Sequence, residues 1–233
     1  MWGVLWLCGF AACGFSVGGA TIEPEPPDAS LIDAPPRTSC RVVPGVPRTN
    51  RGTVGLSGGG GNHNTLKCDP GEVITGIAYD VSDGNANGQN APSARGVRIA
   101  CATLTVDIVG AHASTPRIHD VDGNGGSGWS PSTWSFPALC PVDSVLTAMT
   151  AHGGIDLGTT NLYLDTSIAC TAFDKQGKTG ATTTINVPTS TTGMGMNPSS
   201  VTCPVGDQIA MLETDTGAGL DSIAVSCAPT ICQ

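Results

Sequence analysis

The chain has 233 residues, of which 12% are charged and 4% aromatic, and its formal net charge is −9. This charge argues against a nucleic-acid partner, because binding to phosphates needs clustered Lys and Arg. With 32 Gly and 17 Pro, the composition favours short strands joined by tight turns over long helices.

The N-terminal residues resemble an export signal. The segment Trp2–Phe15 is apolar and too short to span a bilayer, which is typical of the hydrophobic part of a signal peptide. Phe10-Ala11-Ala12-Cys13 is similar to a bacterial lipobox, in which small residues precede a Cys that is acylated. We therefore predict a signal peptide with a lipobox over residues 1–13, and lipidation at Cys13. The alternative is an ordinary secretory leader with a chance Cys.

Residues 14–39 are predicted to form a disordered tether. They contain five Pro and four acidic residues, and such a segment cannot bury enough apolar surface to fold. Together with an acylated Cys13, the tether places the remaining domain, residues 40–233, at the outer membrane or cell surface of a Gram-negative bacterium. Without acylation, the protein is expected to be secreted. In the acylated form, the protein is expected to contact the membrane only through the N-terminal lipid.

Cysteine spacing reveals an internal repeat in this domain. Three copies open with Cys and a Pro-containing turn, run into an apolar strand, cross a Gly- or Asn-rich loop and return on a strand that ends in Cys; they span Cys68–Cys101, Cys140–Cys170 and Cys203–Cys227. An even Cys count in an exported chain suggests a disulfide framework. The simplest pairing lies within each copy, and the remaining Cys40 and Cys232 would then tie the two ends of the domain.

The closing strands of the repeats alternate with period two. Ile223, Val225 and Cys227 share one side of such a strand, with small or polar residues between them. Period two is a β signal with one face buried.

A polar segment between the first two copies fits half of a calcium-binding loop. Asp120, Asp122 and Asn124 would supply hard oxygen ligands, followed by a Gly for the sharp turn. Because the position of the closing bidentate Glu is Pro131, an EF-hand is ruled out. The alternative is a polar, Gly-rich turn between repeats.

The repeats resemble the vitelline membrane outer layer protein family. The second copy is the closest, since WSPSTWSFPALCPVDSVLTAM places Trp129, Trp134 and Phe136 before the Cys-Pro turn at Cys140. The resemblance covers about residues 51–229. It implies an all-β, disulfide-stapled β-prism, with three Greek-key repeats around a pseudo-threefold axis.

The third copy also resembles the jacalin-like lectins, which share the β-prism. Those lectins combine a Gly-rich turn with a Gly-x-x-x-Asp loop that binds sugar hydroxyls. The matching residues here are Gly58, Gly59, Gly60 and Gly61 in the turn, and Gly217, Ala218, Gly219, Leu220 and Asp221 in the loop. A short carboxylate accepts adjacent hydroxyl protons, and Gly lets backbone NH groups approach the ring. The alternative is an ordinary hairpin turn in which Asp221 accepts from local NH groups.

Three functions follow as hypotheses. The first is a surface-anchored, non-catalytic binding protein whose partner is a glycan or cell-surface polymer, with no cofactor. The second is a structural coat or adhesion protein that self-associates. The third, by analogy with the family, is an enzyme that acts on amino-sugar polymers.

Overall fold

The computed structural model describes residues 39–49, 52–55, 62–81, 94–119, 133–134, 137–156, 159–174, 177, 179–187, 198–216 and 220–233. Thr38–Gln233 form one compact unit. Every regular element of the described residues is a β-strand. The strands are β1 (Ser39–Pro44), β2 (Gly52–Gly55), β3 (Asn62–Leu66), β4 (Val73–Val81), β5 (Ala94–Ala102), β6 (Leu104–Asp107), β7 (Ala111–Ala113), β8 (Arg117–His119), β9 (Thr133–Trp134), β10 (Ala138–Leu139), β11 (Ser144–Asp156), β12 (Thr159–Phe173), β13 (Thr179–Asn186), β14 (Pro198–Thr202), β15 (Asp207–Thr216) and β16 (Leu220–Cys232). Among these residues, none belongs to a helix that could cross a membrane.

Each repeat forms the central antiparallel hairpin of its own sheet. The first copy gives β4 and β5 in a five-stranded sheet, the second gives β11 and β12 in a four-stranded sheet, and the third gives β15 and β16 in a seven-stranded sheet. The five-stranded sheet has the order β10-β4-β5-β8, with β9 also paired to β4, and the four-stranded sheet has the order β14-β11-β12-β13. A fourth strand that returns beside the first is the Greek-key arrangement, so both sheets are Greek keys.

The three sheets are linked by a cyclic exchange of strands. β10, which leads into the second repeat, pairs with β4 of the first. β14, which leads into the third, pairs with β11 of the second. β3, which leads into the first, pairs with β15 of the third, and this closes the ring. The fold is therefore a β-prism with a pseudo-threefold relation among its repeats.

Local backbone features recur at equivalent places. Four residues after each opening Cys, an NH group donates to the carbonyl three residues earlier: Glu72 to Asp69 at 3.0 Å, Ser144 to Pro141 at 3.0 Å, and Asp207 to Pro204 at 2.9 Å. A register shift follows in each opening strand, at Thr75, Thr147 and Ala210. In two turns the residue before that NH is a glycine with positive φ, Gly71 at 88° and Gly206 at 85°, a conformation that strains other residues.

The main core lies where the three inner faces meet. It contains buried residues from every sheet, including Tyr79 and Ile99, Leu146 and Ile168, and Leu212, Ile223 and Val225. A second cluster joins Val42 of β1 and Leu104 of β6 to Val73, Val145 and Phe173, so the N-terminal strand covers the end at which the repeats open and close.

Four disulfides join Cys68 to Cys101, Cys140 to Cys170, Cys203 to Cys227, and Cys40 to Cys232. These are the pairs that the repeat predicts. The first three each close the hairpin of one repeat, with at least one sulfur residue in the main core. The fourth ties β1 to the end of β16, where Val42 and Cys232 are register partners.

Candidate functional site

The two segments predicted to bind sugar connect strands at the same end of the seven-stranded sheet, the end at which β15 finishes and β16 begins. Residues 217–219 join β15 to β16, and residues 56–61 join β2 to β3. β2 pairs with β16 on one side of this hairpin, with Gly55 opposite Ser222. β3 pairs with β15 on the other side, with Asn62 opposite Thr216. We call this end of the four strands β2, β3, β15 and β16 the loop end. Pairing thus brings together segments that lie about 160 residues apart in the sequence.

The structure places only part of the predicted loop. Gly58–Gly61 and Gly217–Gly219 lie outside the described residues, so their role stays a prediction. Leu220 is fully buried, and Asp221 is 3% exposed. The register shifts here, because Asp215 pairs with Ser222 and Thr216 with Leu220, which leaves Asp221 as an extra residue of β16. Such a bulge re-aims a side chain relative to the regular ladder.

A polar network borders the loop end. The Ser222 hydroxyl donates to Asp215 Oδ2 at 3.1 Å, and the other carboxylate oxygen of Asp215 contacts His63 Nδ1. The Thr216 hydroxyl donates to the carbonyl of Asn62 at 3.2 Å. These bonds tie β3, β15 and β16 together one to three residues from the loops, so the sheet holds the loop bases in a fixed relation.

A pocket of about 310 Å³ lies on the outer face of the same strands. It is lined by His63, Asn64, Thr65, Glu213, Asp215 and Ala224. The sequence pattern singles out neither His63 nor Asp215. Glu213 and Asp215 are two residues apart in β15, which predicts that their side chains lie on the same face of the strand. This spacing does not reveal that β3 is the neighbouring strand.

A second ionisable cluster lies at the opposite end of the molecule. Asp69, Glu72 and His119 have ligand atoms within 4.8 Å of one another, as a metal site would need. However, Arg117 donates to Asp69 at 2.6 Å and to Glu72 at 3.0 Å, which supplies the positive charge that these carboxylates need. The hydrogen bond from Arg117 holds the pKa of Asp69 below its ordinary value, and the same pair of carboxylates raises the pKa of Arg117. The arrangement is that of an ion-pair network.

The predicted calcium ligands Asp120, Asp122 and Asn124 lie outside the described residues, and so do Trp129 and Phe136. Trp134 belongs to β9, which pairs with β4, with Trp134 opposite Asp80. The calcium loop therefore stays a prediction.

Comparison with known proteins gives matches only among solved structures. Calystegia sepium agglutinin aligns with a TM-score of 0.41 and 18% identity, over 75% of this chain and 93% of that one. A single-chain recombinant jacalin aligns with a TM-score of 0.41 and 13% identity, over 81% and 94%. An artocarpin–mannopentose complex aligns with a TM-score of 0.39 and 13% identity, over 77% and 96%.

No family model matches the chain, and no curated protein matches it. The vitelline membrane outer layer resemblance thus has no matching family model behind it. Identity and structural similarity to these lectins are both low.

Proposed function

We propose that this protein is a non-catalytic carbohydrate-binding protein whose site is at the loop end of the seven-stranded sheet. One observation carries the proposal: strand pairing places the residues that flank the Gly58–Gly61 and Gly217–Asp221 segments side by side at the loop end. Two neighbouring Gly-rich segments allow backbone NH groups to approach a sugar ring closely. Carboxylates nearby suit the acceptance of hydroxyl protons.

The proposed roles differ between residues. Asp221 is the acceptor for adjacent sugar hydroxyls, and the bulge at its position is what would aim it toward the loops. Asp215 is held by His63 and Ser222, so it positions the strands beneath the site and is poorly suited to exchange protons with a substrate. We therefore favour binding over hydrolysis, and expect no release of reducing ends from chitin or peptidoglycan fragments.

A glycan array tests the proposal with four proteins: wild type, Asp221→Asn, Ala218→Arg and Asp174→Asn. Asp221→Asn keeps the side-chain shape, which matters for a residue with 3% exposure. Ala218→Arg adds bulk within the loop and leaves Asp221 unchanged. Asp174→Asn removes an exposed carboxylate that follows β12 and serves as the matched control. We expect wild type and the control to bind the same glycans and both loop variants to lose them. No binding by wild type, or equal binding by all four proteins, contradicts the proposal.

We also propose that Cys13 is acylated and that residues 14–39 hold the domain away from an outer membrane or cell surface. The lipobox-like Phe10–Cys13 segment and the Pro-rich composition support this proposal. Labelled palmitate should enter the wild-type chain and not Cys13→Ser. Label in both proteins, or in neither, would contradict it.

A coat or adhesion role is a second candidate, because β13 is exposed at a sheet edge. Seven of its eight residues are exposed, and β12 is its neighbour among the described strands. An exposed edge strand can pair with another chain. Val187 donates to the carbonyl of Thr166, so Ile185 and Thr183 also face β12, and the NH of Thr184 faces the open edge. Sedimentation should then show self-association that Thr184→Pro weakens, since Pro removes an edge NH donor.

A further inference from the structure

A cavity of about 400 Å³ lies away from the loop end, on the outer face of the four-stranded sheet. The opening turn of the third repeat, Pro204–Asp207, forms one wall of it. The floor comes from β11, β12 and β13, where Ala169 and Thr171 alternate with the buried Ile168 and Cys170. The cavity is therefore open to the outside and separated from the core by the sheet.

Three hydroxyls on this floor form a chain across three strands. The Thr147 hydroxyl donates to the carbonyl of Ala169 at 3.2 Å. Its oxygen lies 2.9 Å from that of Thr171, which lies 3.1 Å from that of Thr182. A hydroxyl has one proton to donate. Either hydroxyl can be the donor in each of the two hydroxyl–hydroxyl contacts, so the chain joins the three oxygens without fixing its direction.

The chain ends on Thr182, whose hydroxyl has capacity for a further hydrogen bond beyond the one to Thr171. Thr182 is exposed and lines the cavity. Hydrogen bonds in a chain polarise one another. A ligand hydroxyl, which both donates and accepts, can therefore bind Thr182 in either direction of the chain.

The fold itself does not require this hydroxyl chain. The repeats place Ala102 and Ala228 where Thr171 stands, directly after the closing Cys. In the first copy, Thr75 stands at the position of Thr147, and its hydroxyl likewise donates to a carbonyl, that of Ala100, at 3.3 Å. In the third copy, the equivalent residue is Ala210, which has no hydroxyl. Two sheets thus form without the chain, so it is particular to the second sheet.

The equivalent cavity on the seven-stranded sheet is lined by different kinds of residue. There the opening turn of the first repeat, Asp69–Gly71, faces Ala210, and Arg41, Gly45 and Pro47 line the same space. Lys67 adds a second cation at that place. The second-sheet cavity, by contrast, is lined by hydroxyls and small side chains.

The charge at the cavity points to a neutral ligand. Asp207 is the one ionisable residue among the described lining residues, and its carboxylate is paired with Arg48 at 3.0 and 3.1 Å. Val205, with 97% exposure, gives an apolar rim beside the hydroxyls. Hydroxyls next to an apolar rim match a sugar ring, which carries hydroxyl groups around apolar C–H faces.

We propose that this cavity is a second carbohydrate-binding site, for neutral sugars, that is separate from the loop end. Thr182 hydrogen-bonds a ligand hydroxyl, and Val205 with Pro204 packs against the ring. The site extends the proposed function to a second place, and the two sites are independent of each other.

NMR titration of the isotope-labelled full-length chain tests this site, with neutral trisaccharides of glucose, mannose and N-acetylglucosamine as probes. Thr182→Val removes the hydroxyl and keeps the shape. Thr184→Val is the matched control, because Thr184 is exposed on the same side of β13 and does not line the cavity. We expect at least one probe to shift the amide signals of Thr171, Thr182 and Val205 in wild type and in Thr184→Val. In Thr182→Val the affinity at these signals should fall about tenfold.

The outcomes separate the two sites. Shifts confined to the residues around the loop end overturn this inference and leave the proposed function intact. Shifts confined to the cavity support the inference and contradict the loop-end site. Equal titration of the cavity signals in Thr182→Val and Thr184→Val, or no shift at the cavity in wild type, also overturns it.

Discussion

Arg117 links two elements of the first repeat through a single side chain. It donates to Asp69 in the opening turn and to Glu72 just before β4, while its own backbone belongs to β8. All three side chains lie near the surface, so solvent screens the pairs, and their contribution to stability is small. The contribution of these ion pairs to stability nevertheless depends on pH, so it can be tested by measuring stability across a pH range.

We predict that Arg117→Gln lowers the melting temperature at neutral pH and that the difference disappears in acid. The pKa of Asp69 is lowered in the folded protein, so its contribution is present above the unfolded pKa and is lost as pH falls through the folded pKa. Thermal unfolding between pH 7 and pH 2 measures this. Lys67→Gln, which removes an exposed cation outside the network, should differ from wild type by the same amount from pH 7 to pH 5. An Arg117→Gln difference that persists unchanged at pH 2 would contradict the ion-pair assignment.

Gly76 follows the bulge of β4, where β10 approaches closely. A Cβ atom at this position would clash with the carbonyl oxygen of Ala138. Because the contact is with backbone, we predict that Gly76→Ala lowers the free energy of unfolding by about 1–3 kcal/mol. Gly180→Ala is the control, since its closest contact would be an ordinary 3.4 Å. Urea unfolding that finds the two variants equally stable would show that β10 does not approach as described.

At the residue scale, sequence pattern could propose Asp221 but not its surroundings. The Gly-x-x-x-Asp spacing marks the loop, whereas the contact of His63 with Asp215 depends on β3 pairing with β15, about 150 residues away in the chain. Local patterns contain no information about such a pairing. The burial of Asp221 likewise results from the sheet around it.

Among the elements, the three hairpins were the most predictable. Period-two alternation and the Cys positions mark both strands of each hairpin, and the intra-repeat disulfides follow from the same spacing. The strands that exchange between sheets were not predictable, because β10 has two residues and β14 has five. Strands this short have too little pattern to distinguish them from loop, and their pairing depends on the neighbouring repeat.

Disulfide removal tests how the elements are held together. We predict that Cys203→Ala with Cys227→Ala lowers the free energy of unfolding by about 3–4 kcal/mol, from the loop entropy of a 24-residue separation. Cys40→Ala with Cys232→Ala should cost about 5 kcal/mol, because that bridge spans 192 residues. Guanidinium unfolding under non-reducing conditions measures both. A negligible effect of the terminal bridge would show that it does not constrain the unfolded chain as inferred.

For the whole molecule, repetition accounts for the fold, and the two proposed binding sites lie where the copies differ. The opening turns, the bulges and the cyclic strand exchange recur in all three repeats, and their inner faces build one core. The Gly-x-x-x-Asp loop belongs to the third copy, and the hydroxyl chain belongs to the second. A pseudo-threefold scaffold of this kind can keep its core while each outer surface varies independently.

The loop end is the central claim, and the affinity of one glycan measures it most directly. Isothermal titration should compare wild type and Asp221→Asn with the glycan that wild type binds most strongly on the array. A hydrogen bond to a charged acceptor contributes about 1.5–3 kcal/mol, so we predict that the variant binds at least about tenfold more weakly while its melting temperature stays close to that of wild type. Equal affinity in the two proteins, with both folded, would contradict the claim.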